Sequence, residues 1–160
     1  MKIKWLSASS FLIISNAGTR VVTDPYTCDY QPEVPLDDNP GGNFMEKRYP
    51  VTEAADIVTI THGHFDHSGA YTVQGNPHLF RIYTGPEPVE IKDVKLKGIV
   101  AYHGAHRGLN TIICLEIDGL RICHLGDLGH KLSEQQLSQV GRVDILMIPW
   151  DDNDVTMPFD

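Results

Sequence analysis

The sequence predicts a mixed α/β domain of the α+β kind, and three observations carry that expectation. Residues 2–23 read as an antiparallel strand meander, helix and strand signals alternate from residue 51 onward, and Asp118-Gly119 joins two apolar runs as a tight hairpin. At 160 residues, 41% hydrophobic and 21% charged, the chain is long enough to bury one core, so a single domain over 1–160 is expected.

Lys2-Ile3-Lys4-Trp5-Leu6 alternates in the strand period, Phe11-Leu12-Ile13-Ile14 is a buried-strand run, and Asn16-Ala17-Gly18 turns the chain into Arg20-Val21-Val22-Thr23. Asp24-Pro25 ends the meander. The stretch 32–50, with four prolines and Gly41-Gly42, has no periodicity and reads as a long loop over one end of the sheet, placed to wall a substrate site. A short helix is expected over 51–55, then the strand Ile57-Val58-Thr59-Ile60. Ser68 to Gln74 reads as the start of a helix that Asn76-Pro77 breaks, and Leu79-Phe80-Arg81-Ile82 as a strand. Two strand pieces follow between Val89 and Tyr102, ending at His103. Residues 110–117 and 120–124 are then the arms of the hairpin, whose Asp-Gly turn asks for the I′ type. Ser133-x-x-Gln136 is a capping box, Leu132 and Leu137 a hydrophobic staple, and Gly141 a stop, giving one short helix over 134–140. Residues 144–148 form the last strand, and the tail from Pro149, with Asp151, Asp152, Asp154 and Asp160, reads as solvated.

A net charge of −8 and a pI near 5.4 argue against nucleic acid or an anionic membrane as the main partner, because both reward clustered Lys and Arg. A small-molecule substrate is expected instead. Cys28, Cys114 and Cys123 are widely spaced, without a Cys-x-x-Cys pair, which points to reduced thiols in a cytoplasmic protein. Cys114 and Cys123 read as core residues of strands. Lys2 and Lys4 before an apolar stretch imitate a secretion signal, but Ser7, Ser9 and Ser10 interrupt it, and no run is long enough to span a membrane.

The chemistry concentrates in Thr61-His62-Gly63-His64-Phe65-Asp66-His67, directly after an apolar strand. Three imidazoles and one carboxylate at short fixed spacing are what a metal site needs, and a solvated His-rich loop is the bland alternative. An extended backbone would send His62 and His64 to one side. Asp66 and His67 fall where the chain should turn into a helix, in reach of a second ion roughly 3.5–4 Å from the first. A third ligand for the first ion is needed, and His103 and His106 both qualify. Asp127, between Gly126 and Gly129, could bridge two ions or simply cap a turn. His124 reads as a packed, hydrogen-bonded histidine, and His130 as a group that touches substrate or fixes a neighbour.

His-x-His-x-Asp-His after a strand, a His ending a later strand and Gly-Asp after another, in that order, resemble the metallo-β-lactamase superfamily. The similarity is greatest to its branch of small bacterial predicted Zn-dependent hydrolases, lactonase-like and phospholipase-D-like. Thr23-Asp24-Pro25-Tyr26, Asn110-Thr111-Ile112, the Asp118-Gly119 hairpin and His124-Leu125-Gly126-Asp127-Leu128-Gly129-His130 carry it, over residues 1 to about 149. The resemblance implies an αββα sandwich, two mixed sheets flanked by helices with metals at one edge. It implies that His62, His64 and His103 bind a first ion, Asp66 and His67 a second, that Asp127 bridges them, and that Asp24 supports the site from behind. The ions would be Zn2+, one or two, with Mn2+ or Fe2+ as alternatives, and Asp66 would orient the attacking hydroxide as a catalytic group.

Two departures accompany the likeness. Family members run on to a further His that completes the second metal site, whereas nothing after His130 in this chain is a histidine. Ala8 also stands where the branch often has a His. The fold is therefore expected to be C-terminally incomplete, either a shortened relative or one completed by a neighbouring subunit, and a homo-oligomer is expected from the sheet edge this leaves open. The leading expectation is a metal-dependent hydrolase whose hydroxide attacks a carbonyl or phosphoryl centre of a small ester, lactone or phosphodiester. The alternatives are a non-catalytic or degenerate metal-binding module lacking a complete second site, and a redox role with iron.

Overall fold

The structure is a computed structural model that describes residues 1–26, 50–81, 87–104, 107–149 and 156. The expected loop over 32–49, Cys28, His106 and most of the acidic tail lie outside the described residues.

Among the described residues, ten strands make two sheets. β1 (Lys2–Ser7), β2 (Ser10–Ile14), β3 (Arg20–Thr23), β4 (Ile57–Ile60) and β5 (His78–Arg81) lie side by side in chain order. β6 (Val89–Ile91), β7 (Val94–Tyr102), β8 (Leu109–Ile117), β9 (Leu120–His124) and β10 (Ile145–Met147) form the second sheet, in the order β10-β9-β8-β7-β6. Both are mixed. β1, β2 and β3 pair antiparallel as the meander pattern requires, and β3-β4-β5 run parallel. In the second sheet the antiparallel β6-β7-β8-β9 run ends in the parallel pair β9-β10.

The period-2 pattern of each strand sorts its side chains into layers. Ile13, Val21 and Ile57 of the first sheet meet Leu96, Ile113, Leu115, Ile117 and Ile122 of the second in the central core. Their neighbours Leu12, Val22 and Val58 point to the outer face of the first sheet, under Tyr26, Val51 and Val73. Ile112, Cys114 and Cys123 point to the outer face of the second, under Leu125, Leu128 and Val140. Burying a residue of this kind stabilises by about 1.5–3 kcal/mol, so these three apolar layers, not helix propensity, hold the molecule together. Cys114 and Cys123 are buried, cross-strand partners with free thiols.

The helical layers are thin. α1 (Glu134–Val140) carries the predicted capping box, with Ser133 and Gln136 each closing on the other's backbone N–H. Seven residues are too few for a helix to persist alone, and Val140 pins this one to the second sheet. Leu137 is 54% exposed, so the Leu132–Leu137 staple contributes no buried contact. The helix expected over 51–55 is absent: Ala54 instead pairs with Gln74 in an isolated bridge, and Ala55 N–H donates to Gln74 C=O. The helix expected over 68–74 shrinks to a 3-10 turn, Ala70–Thr72. There Gly69 N–H donates to Pro25 C=O and Thr72 Oγ1 to Val51 C=O, so contacts with distant segments replace helical ones. No described helix is long and apolar enough to cross a membrane.

The β8–β9 hairpin forms as predicted, with both turn residues at positive φ, Asp118 at 52° and Gly119 at 76°. Asp118 also accepts a hydrogen bond from Asn16 N–H, tying this turn to the meander. A side chain at Gly119 meets no atom but must adopt a left-handed conformation. Gly119→Ala should therefore cost about 1–2 kcal/mol, read as a lower urea midpoint with an unchanged m-value.

Candidate metal centre

The site is assembled where strands of both sheets end. β4 stops at Ile60, and the chain leaves the strand before the cluster, so His62 and His64 are not aligned by an extended backbone as the sequence suggests. The backbone bends at 61–62 and turns over 64–67, where His67 N–H donates to His64 C=O at 3.0 Å, and the rings of His62 and His64 stand edge to face, 4.6 Å apart. β7 delivers His103 from the second sheet, with ring centroids 5.0 Å from His62 and 4.9 Å from His64. Ligand nitrogens of His62, His64 and His103 all lie within 4.8 Å of one another.

Asp127 closes the arrangement. Its Oδ2 is 3.2 Å from His103 Nε2, 3.4 Å from His67 Nε2 and 3.8 Å from His62 Nε2. Two close backbone approaches put it there. Gly126, at φ +56°, has no room for a Cβ, which would lie 2.4 Å from Asn110 Oδ1 and 2.7 Å from Thr61 Cβ. A Cβ on Gly129 would lie 2.0 Å from Gly104 N, where the loop crosses the chain next to His103. Leu128 pairs with His103 in a bridge, and Gly129 N–H donates to Tyr102 C=O.

Behind the ring of histidines lies Asp24, fully buried. Its Oδ1 accepts from Thr61 N–H at 2.7 Å, and its Oδ2 from Thr61 Oγ1 at 2.6 Å and from His67 Nδ1 at 2.9 Å. Asp24 leaves β3 at φ +36°, a conformation that costs a non-glycine residue about 1–3 kcal/mol. Both carboxylate oxygens are thus occupied. An oxygen of Asp24 also falls within 4.8 Å of ligand atoms of His62 and His67.

This hydrogen bonding fixes which nitrogen of each ring is free. Thr61 Oγ1 gives its one proton to Asp24, so toward His62 Nδ1, 3.0 Å away, it can only accept. His103 Nδ1–H donates to Gly104 C=O at 3.0 Å, and His67 Nδ1–H to Asp24. In each ring Nε2 is left to face the centre, the orientation that outer partners impose on metal-binding histidines. Among the described residues the Nε2 atoms of His62 and His103 are buried with no hydrogen-bond partner, a costly state in a protein interior that a divalent ion would relieve.

Electrostatics agree with the geometry. Burial pushes His62 down to about 3 and lowers His64, keeping both neutral and ready to donate a lone pair. For Asp127 burial pushes upward, but the hydrogen bond from His67 and that ring's charge, with smaller electrostatic contributions from His62 and His103, hold the carboxyl at about 2. Burial opposes charge on His67 too, yet Asp127 and Asp24 on either side hold it well above the usual histidine value.

The other candidates lie apart from the set His62, His64 and His103. Asp66 stands at the rim, 40% exposed, with Oδ2 3.8 Å from His67 Nε2. His124 is packed edge-on against Phe11 and donates Nε2–H to Ser9 C=O. His130 uses both ring nitrogens, accepting from Tyr102 N–H and donating to Lys131 C=O, so it fastens the residue next to His103. Ala8 accepts from the Trp5 indole. Thr61 and Asn110 have roles the sequence did not reveal; only the Thr directly before the cluster and the buried amide beside the Gly-Asp turn signalled them.

Residues 2–158 match the family described as a β-lactamase superfamily domain. A protein of Thermococcus onnurineus named as a metal-dependent hydrolase is 25% identical, over 93% of this chain and 71% of that one. A crystal structure from Thermotoga maritima, described as a Zn-dependent hydrolase of the metallo-β-lactamase superfamily, is 28% identical with a TM-score of 0.69. It covers 98% of this chain, which spans 64% of the Thermotoga protein. A Parabacteroides distasonis structure described as a metal-dependent hydrolase shares the fold at 17% identity and a TM-score of 0.68, over 98% of this chain and 72% of its own. With the two mixed sheets and the histidines gathered where they end, the match along nearly the whole sequence places the chain in the β-lactamase superfamily.

Proposed function

We propose that the protein is a metal-dependent hydrolase of small esters, lactones or phosphodiesters. His62, His64 and His103 would hold a first zinc ion and His67 and Asp66 a second, with Asp127 supplying a carboxylate to the centre. One observation carries the reading: two buried, unpartnered imidazole nitrogens, of His62 and His103, face a single carboxylate oxygen of Asp127. When bound, divalent ions at such a centre acidify water to a pKa of roughly 7 and polarise the attacked oxygen.

The chain's own groups do the rest. Asp24 and Thr61 lock the ring orientations, so no reorganisation is needed when the site fills. Asp127, ionised by its imidazole neighbours, supplies negative charge at the centre. Asp66, half in solvent at the rim, orients an incoming water and accepts its proton. His64 is only partly buried and leaves the centre open on the side from which a substrate approaches.

His62→Ala combined with His64→Ala should abolish tight binding of the first ion, measured as zinc per chain after dialysis, while the circular dichroism spectrum is kept. Unchanged zinc stoichiometry would sink the ligand assignment. Asp127→Asn should lower turnover of a phosphodiester and lactone panel by about 10–100-fold and weaken the second ion; full activity with full metal content would make Asp127 a turn residue.

Proton linkage gives a further test. His62 and His64 are neutral at pH 7 and release nothing on binding, whereas His67, with its raised pKa, carries a proton that an ion at Nε2 must displace. Binding of the second ion should release about one proton near neutral pH, and its affinity should fall about tenfold per pH unit below the His67 pKa. Calorimetry in buffers of different ionisation enthalpy measures it; release independent of His67 would count against the second site.

A further inference from the structure

We propose that Asn110 is the positioning residue that sets the Asp127 carboxylate in the metal centre, an inference that rests on the metal-dependent reading above. Asn110 lies on β8, one strand away from β7 and its His103, and is completely buried. Its amide is used at both ends by one short turn. Nδ2 donates to Leu125 C=O at 2.8 Å, and Oδ1 accepts from Asp127 N–H at 3.1 Å. The turn 125–127 is therefore wrapped around a planar group that offers one donor and one acceptor in fixed relative positions.

The opposite side of the turn leaves no slack. Gly126 is pressed between Asn110 Oδ1 and Thr61, so closely that one added carbon would meet both. Thr61 is the residue that links Asp24 to His62, and its C=O accepts from Thr111 N–H, the neighbour of Asn110, at 2.8 Å. Asn110 and Thr61 thus hold the Gly126 turn from two sheets, and the distance from Asp127 to the His62 ring is fixed by how they meet. An aspartate at 110 keeps the acceptor for Asp127 N–H but sets an oxygen against Leu125 C=O and adds a negative charge beside Asp127. An alanine removes both bonds and leaves the turn free to move away.

The test uses full-length wild type, Asn110→Ala, Asn110→Asp and Leu96→Ala, the last a fully buried core truncation that touches neither the turn nor the histidines. Two readouts are taken: zinc affinity at each site by chelator competition, and hydrogen exchange of the Asp127 amide in metal-free protein. Both Asn110 variants should keep one tight zinc ion and lose about 10–100-fold in affinity for the second. Asn110→Ala should also exchange the Asp127 amide at least about tenfold faster than Leu96→Ala at matched global stability. If alanine prevents folding, the isosteric aspartate carries the zinc arm. Wild-type affinity for both ions in the aspartate variant, or unchanged Asp127 exchange in the alanine variant, overturns the assignment. Failure of the hydrolase reading looks different: wild type itself then binds no zinc or turns over no ester, while amide exchange in the metal-free protein still decides the role of Asn110.

Discussion

Asp24 is a carboxylate with no access to water, and much of the structure around the site exists to keep it charged. An unpaired buried charge is too costly to survive in a protein interior. Here burial pushes the carboxyl upward, but the hydrogen bond from His67, the charges of His67 and His124 and the bonds from Thr61 outweigh it and hold the pKa below the ordinary value. Those partners then have no freedom of their own. Thr61 must point its proton at Asp24, His62 must present Nε2 outward, and His67 must do the same. A single anion thereby orients two of the imidazoles and, through Thr61, reaches the seam between the sheets.

The seam explains why the centre sits where it does. Each sheet contributes an incomplete set: the first supplies the cluster after β4, and the second supplies His103 after β7 and Asp127 after β9. Thr111 N–H donates to Thr61 C=O where these ends face each other. The central apolar layer fixes the spacing of the sheets, and backbone contacts at Gly126 and Gly129 fix the approach of the loops.

Features written in short stretches of sequence were legible. The Asp118-Gly119 turn, the Ser133–Gln136 capping box and the strand periods of β2, β3 and β8 depend on neighbours in the chain, and they form as read. The density of His and Asp at 62–67 likewise marked where the centre would be. The two misread helices failed for the opposite reason. Ala55 N–H donates to Gln74 C=O and Gln74 N–H to Glu53 C=O, so distant segments claimed backbone groups that a helix would have used. Thr61 and Asn110 were illegible because their meaning lies in partners 37 and 17 residues away, Asp24 and Asp127. Composition drew attention to residues 62–67, whereas the strand that was expected to align His62 and His64 ends at Ile60.

A metal centre at this place requires the free Nε2 atoms of His62 and His103 to share an ion. The most direct measurement is anomalous diffraction at the zinc edge from crystals grown in zinc, with a second data set below the edge to identify the element. The expected result is a peak bonded at roughly 2.0–2.1 Å to nitrogens of His62, His64 and His103, with Asp24 still hydrogen-bonded to Thr61 and His67. An ordered zinc ion elsewhere on the molecule, with these three imidazoles unligated, would contradict it.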